Sequence, residues 1–307
     1  MNTHTTATTA ERNVLVLGGT GFLGRHVCEK LQRAGWRITV PTRRVANAKN
    51  VQHLPNLTVV QADVHDGAAL ARLLPGPTAV VNLIAILHGS ETAFERTHVA
   101  LPTTLASACV ASHVRRLVHV SALGVALDSP ARYQRSKARG EQVLRNAGLD
   151  LTVLRPSVIF GAGDRFLNLF AKLQKLFPVV PLAGANAKFQ PVWVEDVAEA
   201  VVTSLQQLSA VGQTIECVGP DVLTLADLVR IAGRYGSRQR PILPLPNALG
   251  QLQAMLMELA PGEPLMSRDN LAAMSVDNVA SGQFPGMEAL GIRATGVHSV
   301  APTYLRP

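Results

Sequence analysis

Cysteine is scarce in this sequence, and the few cysteines present are not arranged for pairing. The 307 residues contain three, Cys28, Cys109 and Cys217, each in an apolar segment and far from the others. An odd number of widely separated cysteines argues against a disulfide framework and offers no metal-ligand spacing. We therefore predict buried free thiols, no metal site, and a reducing location such as the cytoplasm.

Long apolar runs are also missing. The longest, residues 79–87, is too short to cross a bilayer and is interrupted by Asn82. Residues 1–12 are polar and rich in threonine, so we expect a disordered tail there rather than a signal peptide. The sequence thus predicts no transmembrane segment.

Aromatic residues and basic tracts are sparse as well. Phenylalanine, tryptophan and tyrosine make up 4% of the chain, and lysine and arginine are scattered although the formal net charge is +8. Nucleic-acid-binding proteins use aromatic stacking platforms and clustered basic residues, so we expect no nucleic-acid partner. The scattered positive charge instead suits anionic small molecules, acidic protein partners or an acidic lipid surface.

The most informative stretch lies close to the amino terminus. Residues 13–17, Asn-Val-Leu-Val-Leu, have the composition of a buried parallel strand. Glycines follow at positions 18, 19, 21 and 24, and from Phe22 onward the apolar residues recur with helical spacing. This order of strand, glycine turn and helix is the context in which a glycine motif binds phosphate groups.

Each glycine of the turn has a separate physical task. Gly18 permits the tight turn, Gly21 lets a pyrophosphate approach the backbone, and Gly24 lets the helix pack close to the strand. The helix N-terminus then directs free N–H groups and a positive dipole end at the phosphates. The alternative is a glycine-rich turn without a ligand. The residues assigned to dinucleotide binding here are Gly18, Thr20, Gly21, Phe22, Leu23 and Gly24.

The second predicted strand, residues 37–42, bears on cofactor choice. NAD-selective folds place an acid at the end of this strand to hold the ribose hydroxyls. This chain has Thr42, Arg43 and Arg44 there instead, and a guanidinium binds a 2′-phosphate that a carboxylate would repel. We therefore expect NADP(H), with NAD(H) less favoured, bound by Arg43 and Arg44. The alternative is a pair of solvated loop arginines.

The remaining pattern alternates strands with helices, which predicts an α/β fold with a doubly wound parallel Rossmann sheet. A smaller C-terminal lobe for substrate or partner follows. We place the dinucleotide-binding domain at residues 13–220, with 155–190 partly in the smaller lobe, and the rest of that lobe at 221–307. Further predicted strands cover 57–63, 79–85, 116–120, 149–155 and 214–218, and one long helix covers 91–112 with a kink or restart at Pro102.

Catalytic chemistry is concentrated after the fifth predicted strand. Ser121 stands at the carboxyl end of that strand, where open parallel sheets bind ligands. Tyr133 and Lys137 are four residues apart on the helix predicted at 132–146, so they share one face. An ammonium beside a phenol lowers the tyrosine pKa toward neutrality, and Lys137 can also reach ribose hydroxyls. We assign Ser121, Tyr133 and Lys137 as catalytic. The alternative is an exposed tyrosine packed on a lysine stem.

Several blocks in order resemble one family. They are Gly18-Gly-Thr-Gly-Phe-Leu-Gly24, His119-Val-Ser-Ala-Leu-Gly124, Arg132-Tyr-Gln-Arg-Ser-Lys137, Arg155-Pro-Ser-Val-Ile-Phe-Gly161 and Gln190-Pro-Val-Trp-Val-Glu-Asp-Val-Ala198. This set resembles the extended or atypical branch of the short-chain dehydrogenase/reductase superfamily. Within that branch it looks most like the nucleotide-binding accessory subunit of respiratory complex I and its bacterial epimerase/dehydratase-like relatives. The resemblance covers residues 13–205.

The resemblance implies roles for further residues. Asp63 would touch the adenine amino group, with Val64 beside it; the equal alternative for Asp63 is a helix N-cap for the segment starting at Gly67. Ala85 would lie where the backbone passes the nicotinamide ribose, and Pro156 would fix the loop flanking the nicotinamide. Asp196 would be structural. Arg155, polar at the end of a buried strand, is expected to pair in the core or to face substrate.

Two functions remain open from the sequence. The first is a hydride-transfer oxidoreductase, or an epimerase or dehydratase, acting on an unidentified small molecule. The second is a non-catalytic NADPH-binding accessory or assembly protein of a respiratory NADH:quinone oxidoreductase complex, since members of the resembling group hold NADPH tightly. The +8 charge favours the second and makes a respiratory complex or an anionic membrane surface the expected partner. The expected location is the cytoplasm, including a peripheral position at the inner membrane.

Overall fold

A computed structural model describes residues 12–236, 238–259, 264 and 266–305. The tail expected at residues 1–12 therefore lies outside the described residues, apart from Arg12. Within the described residues no helix is both long and apolar enough to span a membrane.

Strands and helices alternate through the first two thirds of the chain. In chain order the strands are β1 (Asn13–Leu17), β2 (Arg37–Thr42), β3 (Leu57–Gln61), β4 (Ala79–Asn82), β5 (Arg116–Val120), β6 (Asp150–Pro156), β7 (Ile159–Phe160), β8 (Val180–Ala183), β9 (Lys188–Phe189), β10 (Val192–Trp193), β11 (Thr214–Cys217), β12 (Leu223–Thr224) and β13 (Ile242–Leu245). The helices are α1 (Phe22–Arg33), α2 (Gly67–Arg72), α3 (Glu91–Glu95), α4 (Leu101–Ala111), α5 (Arg132–Arg145), α6 (Leu167–Leu176), α7 (Val194–Gln206), α8 (Leu225–Tyr235), α9 (Asn247–Leu259), α10 (Arg268–Ala273) and α11 (Val297–Tyr304).

Seven strands form one parallel sheet in the order β11-β6-β5-β4-β1-β2-β3. The chain winds outward from β1 in one direction and then returns to start the other half at β4. Parallel sheets of this kind bind ligands where the order reverses, at the carboxyl ends of the strands. The predicted doubly wound fold class is therefore confirmed, and the candidate crevice lies at the ends of β1 and β4.

Side chains of β1 alternate between two cores because both faces of the sheet are covered. Val14 and Val16 pack in a core that also holds residues of α1 and α7. Leu15 and Leu17 pack on the other side with residues of α4. All four are fully buried, which explains the continuous apolar run that identified this strand in the sequence.

Three predicted boundaries differ from the structure. Strands β3 and β4 end at Gln61 and Asn82, so Asp63 and Ala85 lie in the loops that follow rather than in the strands. The helix predicted at 91–112 is divided into α3 and α4 by a π-helical turn at 96–100. Pro102 lies in the first turn of α4, directly after this π-helical turn.

A separate hydrophobic core lies beyond the sheet. It is built from residues of α6, β8, α8 and α11, and we call these elements together with β13, α9 and α10 the C-terminal lobe. The boundary proposed between the two domains stays a prediction.

The C-terminal lobe reaches the sheet domain through the buried carboxylate of Asp269, in α10. Helix α5 begins after Ala131, which offers no capping side chain. The Asp269 carboxylate instead accepts hydrogen bonds from the backbone N–H groups of Arg132, at 2.7 Å, and Tyr133, at 3.0 Å. A residue 136 positions away thus supplies the cap that a preceding serine or aspartate normally provides.

We expect Asp269→Ala to lower the free energy of unfolding by about 1–3 kcal/mol, because two part-buried N–H groups at the start of α5 lose their acceptor. Asp277→Ala is the matched control. Its carboxylate lies 3.6 Å from the exposed Lys188, and such pairs contribute less than about 1 kcal/mol. Urea denaturation of both variants measures the difference, and equal stabilities would contradict the capping role of Asp269.

Candidate functional site

The glycine turn lies at the end of β1, as the sequence predicts, and two of its glycines are sterically required. Gly18 has φ +82°, and a Cβ added there would lie 3.2 Å from the carbonyl carbon of Leu83, after β4. A Cβ on Gly24 would lie 2.2 Å from the Gly18 carbonyl oxygen. Helix α1 therefore crosses the end of β1 at a distance that only glycine allows.

The N-terminus of α1 carries no cap and no acid. Gly21 is the N-cap residue and offers no side chain, and the first turn contains no Asp or Glu. Gly21 is exposed, and an added Cβ there would meet only the Gly18 oxygen within 4 Å. Thr20, Phe22 and Leu23 are half-buried. Uncapped N–H groups at a positive dipole end are suited to an anion, so this turn fits a pyrophosphate.

The end of β2 carries two exposed arginines. Thr42 is buried, and its hydroxyl donates to the carbonyl of Arg44 at 3.1 Å, which shapes the turn. Arg43 and Arg44 are exposed, and within the described residues neither guanidinium has an acidic partner. Both are free to meet a phosphate, and both also fit the alternative of solvated loop arginines.

The loop after β3 shows which residue caps α2, a role that was one of two alternatives for Asp63. The N-cap of α2 is Asp66, which accepts from the N–H of Ala68 at 2.9 Å, so the N-cap role offered for Asp63 is wrong. Asp63 instead accepts from the N–H of His65 at 3.1 Å and keeps a side chain that is 43% exposed. Its predicted adenine contact stays a prediction. Val64 is buried in the core, so only its backbone faces the crevice.

The loop after β4 is held by buried residues that the sequence did not single out for this task. The Asn82 amide oxygen accepts from the N–H of Ile84 at 3.1 Å, and its nitrogen lies 3.2 Å from Nδ1 of His119. Further along, Nε2 of His98 accepts from the N–H of Ile86 at 3.2 Å. Burial lowers the pKa of His98 to about 3, so this ring is neutral and keeps its acceptor. Ala85 is thereby left exposed on a fixed loop.

Ser121 follows β5 directly and lies at the carboxyl edge of the sheet. Its N–H donates to the carbonyl of Leu154 at 2.7 Å. Its side chain is buried, yet the hydroxyl has no hydrogen-bond partner among the described residues. Leaving such a group unpaired costs free energy, so an orphaned hydroxyl at a ligand-binding edge indicates a partner supplied by a bound molecule.

The structure brings Tyr133 and Lys137 onto one face of α5 but does not give the expected effect on pKa. The Lys137 ammonium donates to the carbonyl of Val120 at 2.8 Å, and burial lowers its pKa to about 8. Burial raises the pKa of Tyr133 to about 12. The expectation of a lowered tyrosine pKa is therefore wrong for this arrangement, since loss of solvation outweighs the influence of a lysine that is bonded elsewhere.

The Tyr133 ring is oriented by its neighbours. Its centroid lies 5.4 Å from that of His98 and 6.2 Å from that of Phe94, both in edge-to-face geometry. The Ser136 hydroxyl lies 2.8 Å from Nδ1 of His98 and donates to the Tyr133 carbonyl at 2.8 Å. One histidine therefore contacts the loop after β4 through Nε2 and the start of α5 through Nδ1.

The exit from β6 is occupied by structural contacts. Arg155 forms two hydrogen bonds with the buried Glu141, at 3.0 and 2.7 Å, which confirms the expected core pair. Pro156 is buried, and its carbonyl accepts from the N–H of Leu123 at 2.9 Å, so the loops after β5 and β6 are joined. Asp196 accepts from the N–H and hydroxyl of Thr295, which agrees with a structural role.

His26 and Glu29 of α1 lie close to Glu195 of α7 and form a cluster of potential metal ligands. Nδ1 of His26 is 2.5 Å from Glu195, and the Lys30 ammonium is 3.4 Å from the same carboxylate. The Glu195 carboxylate therefore already has two partners within the protein.

A comparison with protein families matches residues 14–217 to the model described as the NAD dependent epimerase/dehydratase family. Among curated proteins, the chain is 33% identical over 289 residues to the mouse "NADH dehydrogenase [ubiquinone] 1 alpha subcomplex subunit 9, mitochondrial", covering 91% of this chain and 76% of that protein. It is 32% identical over 198 residues to the "Ceramide reductase" of Caulobacter vibrioides, covering 64% and 62%.

Among solved structures, the UDP-glucose 4-epimerase of Thermus thermophilus in complex with NAD superposes with a TM-score of 0.72 at 19% identity, covering 95% of this chain and 97% of that one. At this identity the likeness shows the fold alone.

We expect Gly24→Ala to lower the free energy of unfolding by about 1–3 kcal/mol or more, because its Cβ would overlap the Gly18 carbonyl. Gly21→Ala is the control within the same turn. Its Cβ would approach that oxygen no closer than 3.2 Å, so we expect a loss below about 1 kcal/mol. Chemical denaturation of the two variants compares them; a Gly24→Ala protein as stable as the parent would mean that α1 does not pack this closely.

Proposed function

The chain belongs to the NAD-dependent epimerase/dehydratase family, and from this membership we propose that it binds NADP(H) and transfers hydride to a carbonyl substrate. The observation that carries the proposal is the uncapped helix N-terminus at the Gly18–Gly24 turn, followed by a second strand that ends in two arginines and no acid. The pyrophosphate would lie on the N–H groups of α1, and the 2′-phosphate between Arg43 and Arg44.

The neighbouring loops would hold the other parts of the cofactor. Asp63 would accept from the adenine amino group, and the backbone at Val64 would border it. Ala85, on the loop fixed by Asn82 and His98, would border the nicotinamide ribose, and Pro156 would flank the nicotinamide. These placements are what the family resemblance implies; Asp63 and Ala85 lie just beyond the ends of β3 and β4, and Ala85 is exposed there.

When bound, the nicotinamide supplies the hydride, and the chain's own residues handle the oxygen. The neutral Tyr133 phenol would donate its proton to the carbonyl oxygen as that oxygen gains charge, giving an alcohol. Burial raises the pKa of Tyr133 to about 12, so the phenol is protonated at neutral pH and the proton-donating form is the one present. The orphaned Ser121 hydroxyl would hold the same oxygen, and Lys137 would face the ribose. Solvent then returns the proton to Tyr133.

The Caulobacter relative supports this direction of reaction, because its name describes a reductase. Epimerase or dehydratase chemistry uses the same residues and starts instead with oxidation of an alcohol. The raised tyrosine pKa disfavours that first step unless binding of cofactor and substrate lowers it.

The large share of the chain that matches the mouse relative supports a second function. The mouse relative, which its name places in NADH dehydrogenase, matches 91% of this chain, well beyond the residues 14–217 that the family model matches. In this alternative the protein is an accessory or assembly component of a respiratory complex, and NADPH stabilises the folded state by mass action without turnover. Tight NADPH binding is common to both functions, whereas turnover separates them.

We expect Tyr133→Phe to keep NADPH affinity while the rate of carbonyl reduction falls about 10²–10⁴-fold, because only the donated proton is lost. Tyr235→Phe is the control, since its hydroxyl lies 3.3 Å from His298 in the C-terminal lobe. NADPH oxidation with a series of ketones measures the rate. An unchanged rate in Tyr133→Phe would remove this residue from the mechanism, and a parent that binds NADPH but reduces no ketone would favour the accessory function.

We expect NADPH to bind roughly 10- to 150-fold more tightly than NADH, as charge-assisted hydrogen bonds of about 1.5–3 kcal/mol would give. The Arg43→Ala, Arg44→Ala double variant should lose this preference, and added salt should weaken it in the parent. Arg33→Ala, Arg234→Ala, which removes two exposed arginines elsewhere, is the matched control. Calorimetric titration decides; equal affinities in the parent, or a preference kept by the Arg43/Arg44 variant, would refute the assignment.

A further inference from the structure

Helix α9 is apolar on both of its faces. Gly250 and Ala254 are buried against the lobe. The opposite side carries five large apolar side chains that are between 40% and 77% exposed: Leu249, Leu252, Met255, Leu256 and Leu259. A helix with a single buried stripe normally turns polar residues to solvent, so a helix that also exposes an apolar stripe on its outer side offers that stripe to a second partner. We call the five exposed residues the α9 face.

The α9 face continues into a second exposed apolar group. Strands β8 and β13 pair in parallel, with Val180 beside Ile242. Along α9, a Cβ on Gly250 would meet Ala183, and the Gln253 amide lies 3.5 Å from the Pro181 carbonyl. The helix therefore runs back along β8 toward its start, where Leu176, Phe177 and Val179 are exposed. The last turn of α9 approaches this group.

Basic residues border this surface. Lys172 and Lys175 are exposed on α6, just before Leu176, and Arg238 is exposed just before β13. Within the described residues none of the three cations has an acidic partner. The single acid of α9, Glu258, is paired with Arg268 at 2.9 Å. The surface therefore combines an apolar stripe with unpaired positive charge at its edge.

We propose that the α9 face, with Leu176, Phe177 and Val179, docks the protein on an anionic lipid bilayer. The leucine and methionine side chains enter the boundary between headgroups and acyl chains, and Lys172, Lys175 and Arg238 meet lipid phosphates. The stripe spans residues 249–259, about 15 Å of helix at 1.5 Å per residue. This length suits a helix lying in the plane of the interface rather than one crossing it.

The composition of the surface favours lipid over a protein partner. Protein interfaces are enriched in Tyr, Trp, Phe, Met and Arg at their centres, whereas four of the five residues of the α9 face are leucine. Among the described residues, the lobe acid nearest in sequence to Arg238 is Asp227, which is paired with Arg230 at 2.8 Å. Within the described part of the lobe, the positive charge at the edge therefore has no acidic partner. The proposal does not depend on cofactor binding or turnover, since every residue that carries it lies outside the candidate crevice.

The full-length protein is tested by flotation with phosphatidylcholine vesicles, with and without phosphatidylglycerol. We expect binding to the anionic vesicles and little to the neutral ones. Leu252→Glu, Leu256→Glu should reduce binding at least about 100-fold, because two apolar side chains no longer enter the interface. Lys172→Gln, Lys175→Gln, Arg238→Gln should also reduce it roughly 100-fold, at about 1 kcal/mol per cation, and added salt should act in the same direction.

Matched control variants test whether vesicle binding depends on this surface or only on the overall charge and hydrophobicity of the protein. Leu208→Glu replaces an 86% exposed leucine outside the lobe, and Arg33→Gln, Lys49→Gln, Arg72→Gln removes three exposed charges elsewhere; neither should change binding by more than about twofold. Circular dichroism checks that each variant is folded. The proposal would be overturned if the parent protein does not bind anionic vesicles, or if the control variants lose as much binding as the α9 and cation variants. A parent dimer that Leu252→Glu, Leu256→Glu converts to a monomer in light scattering would also overturn it, because the α9 face would then be an interface between two copies.

Discussion

The crossing of α1 over the end of β1 is the constraint on which the candidate site depends. Helix α1 can approach β1 this closely because Gly24 has no Cβ; a Cβ there would lie 2.2 Å from the Gly18 carbonyl oxygen. Because the helix comes this near, its first N–H groups stand directly beyond the strand, at the edge where the sheet order reverses. A side chain at Gly24 would move the helix outward and carry those N–H groups away from that edge.

The crossing also determines how the next loop is built. The backbone at Leu83 passes within reach of Gly18, and the side chains of Leu83 and Ile84 pack against the cores on the two faces of the sheet. The loop after β4 is also held by the buried polar groups Asn82 and His98, each of which accepts a hydrogen bond from the loop backbone. Buried polar groups are costly unless they are paired, so a fully paired set fixes one conformation. The rigidity of this edge thus comes from polar contacts added to a packed core.

The sequence was sufficient wherever the structure depends on local pattern. The apolar run at 13–17, the glycine spacing and the four-residue separation of Tyr133 and Lys137 each belong to one element, and the structure has those elements where they were predicted. Contacts between segments far apart in the sequence could not be predicted from any local pattern. Asp269 caps a helix 136 residues before it, and no spacing rule connects these positions. The error in the pKa of Tyr133 has the same origin, because burial is a property of the assembled site and not of α5 alone.

Folding requirements account for some of the candidate catalytic side chains better than for others. The Lys137 ammonium donates a hydrogen bond to the Val120 carbonyl, so its presence is explained by the structure even without turnover.

The Tyr133 ring packs on His98 and Phe94, and a phenylalanine would fill the same space, so packing does not explain its hydroxyl. Nor does packing explain the Ser121 hydroxyl, which is buried without a partner in the described part of the chain and lowers stability relative to alanine by the free energy of desolvating a polar group. A side chain that weakens the fold and points at a ligand-binding edge is understandable when a bound molecule completes its hydrogen bonds. Ser121 and the Tyr133 hydroxyl therefore favour a site that receives a polar substrate atom over one that only stores a cofactor.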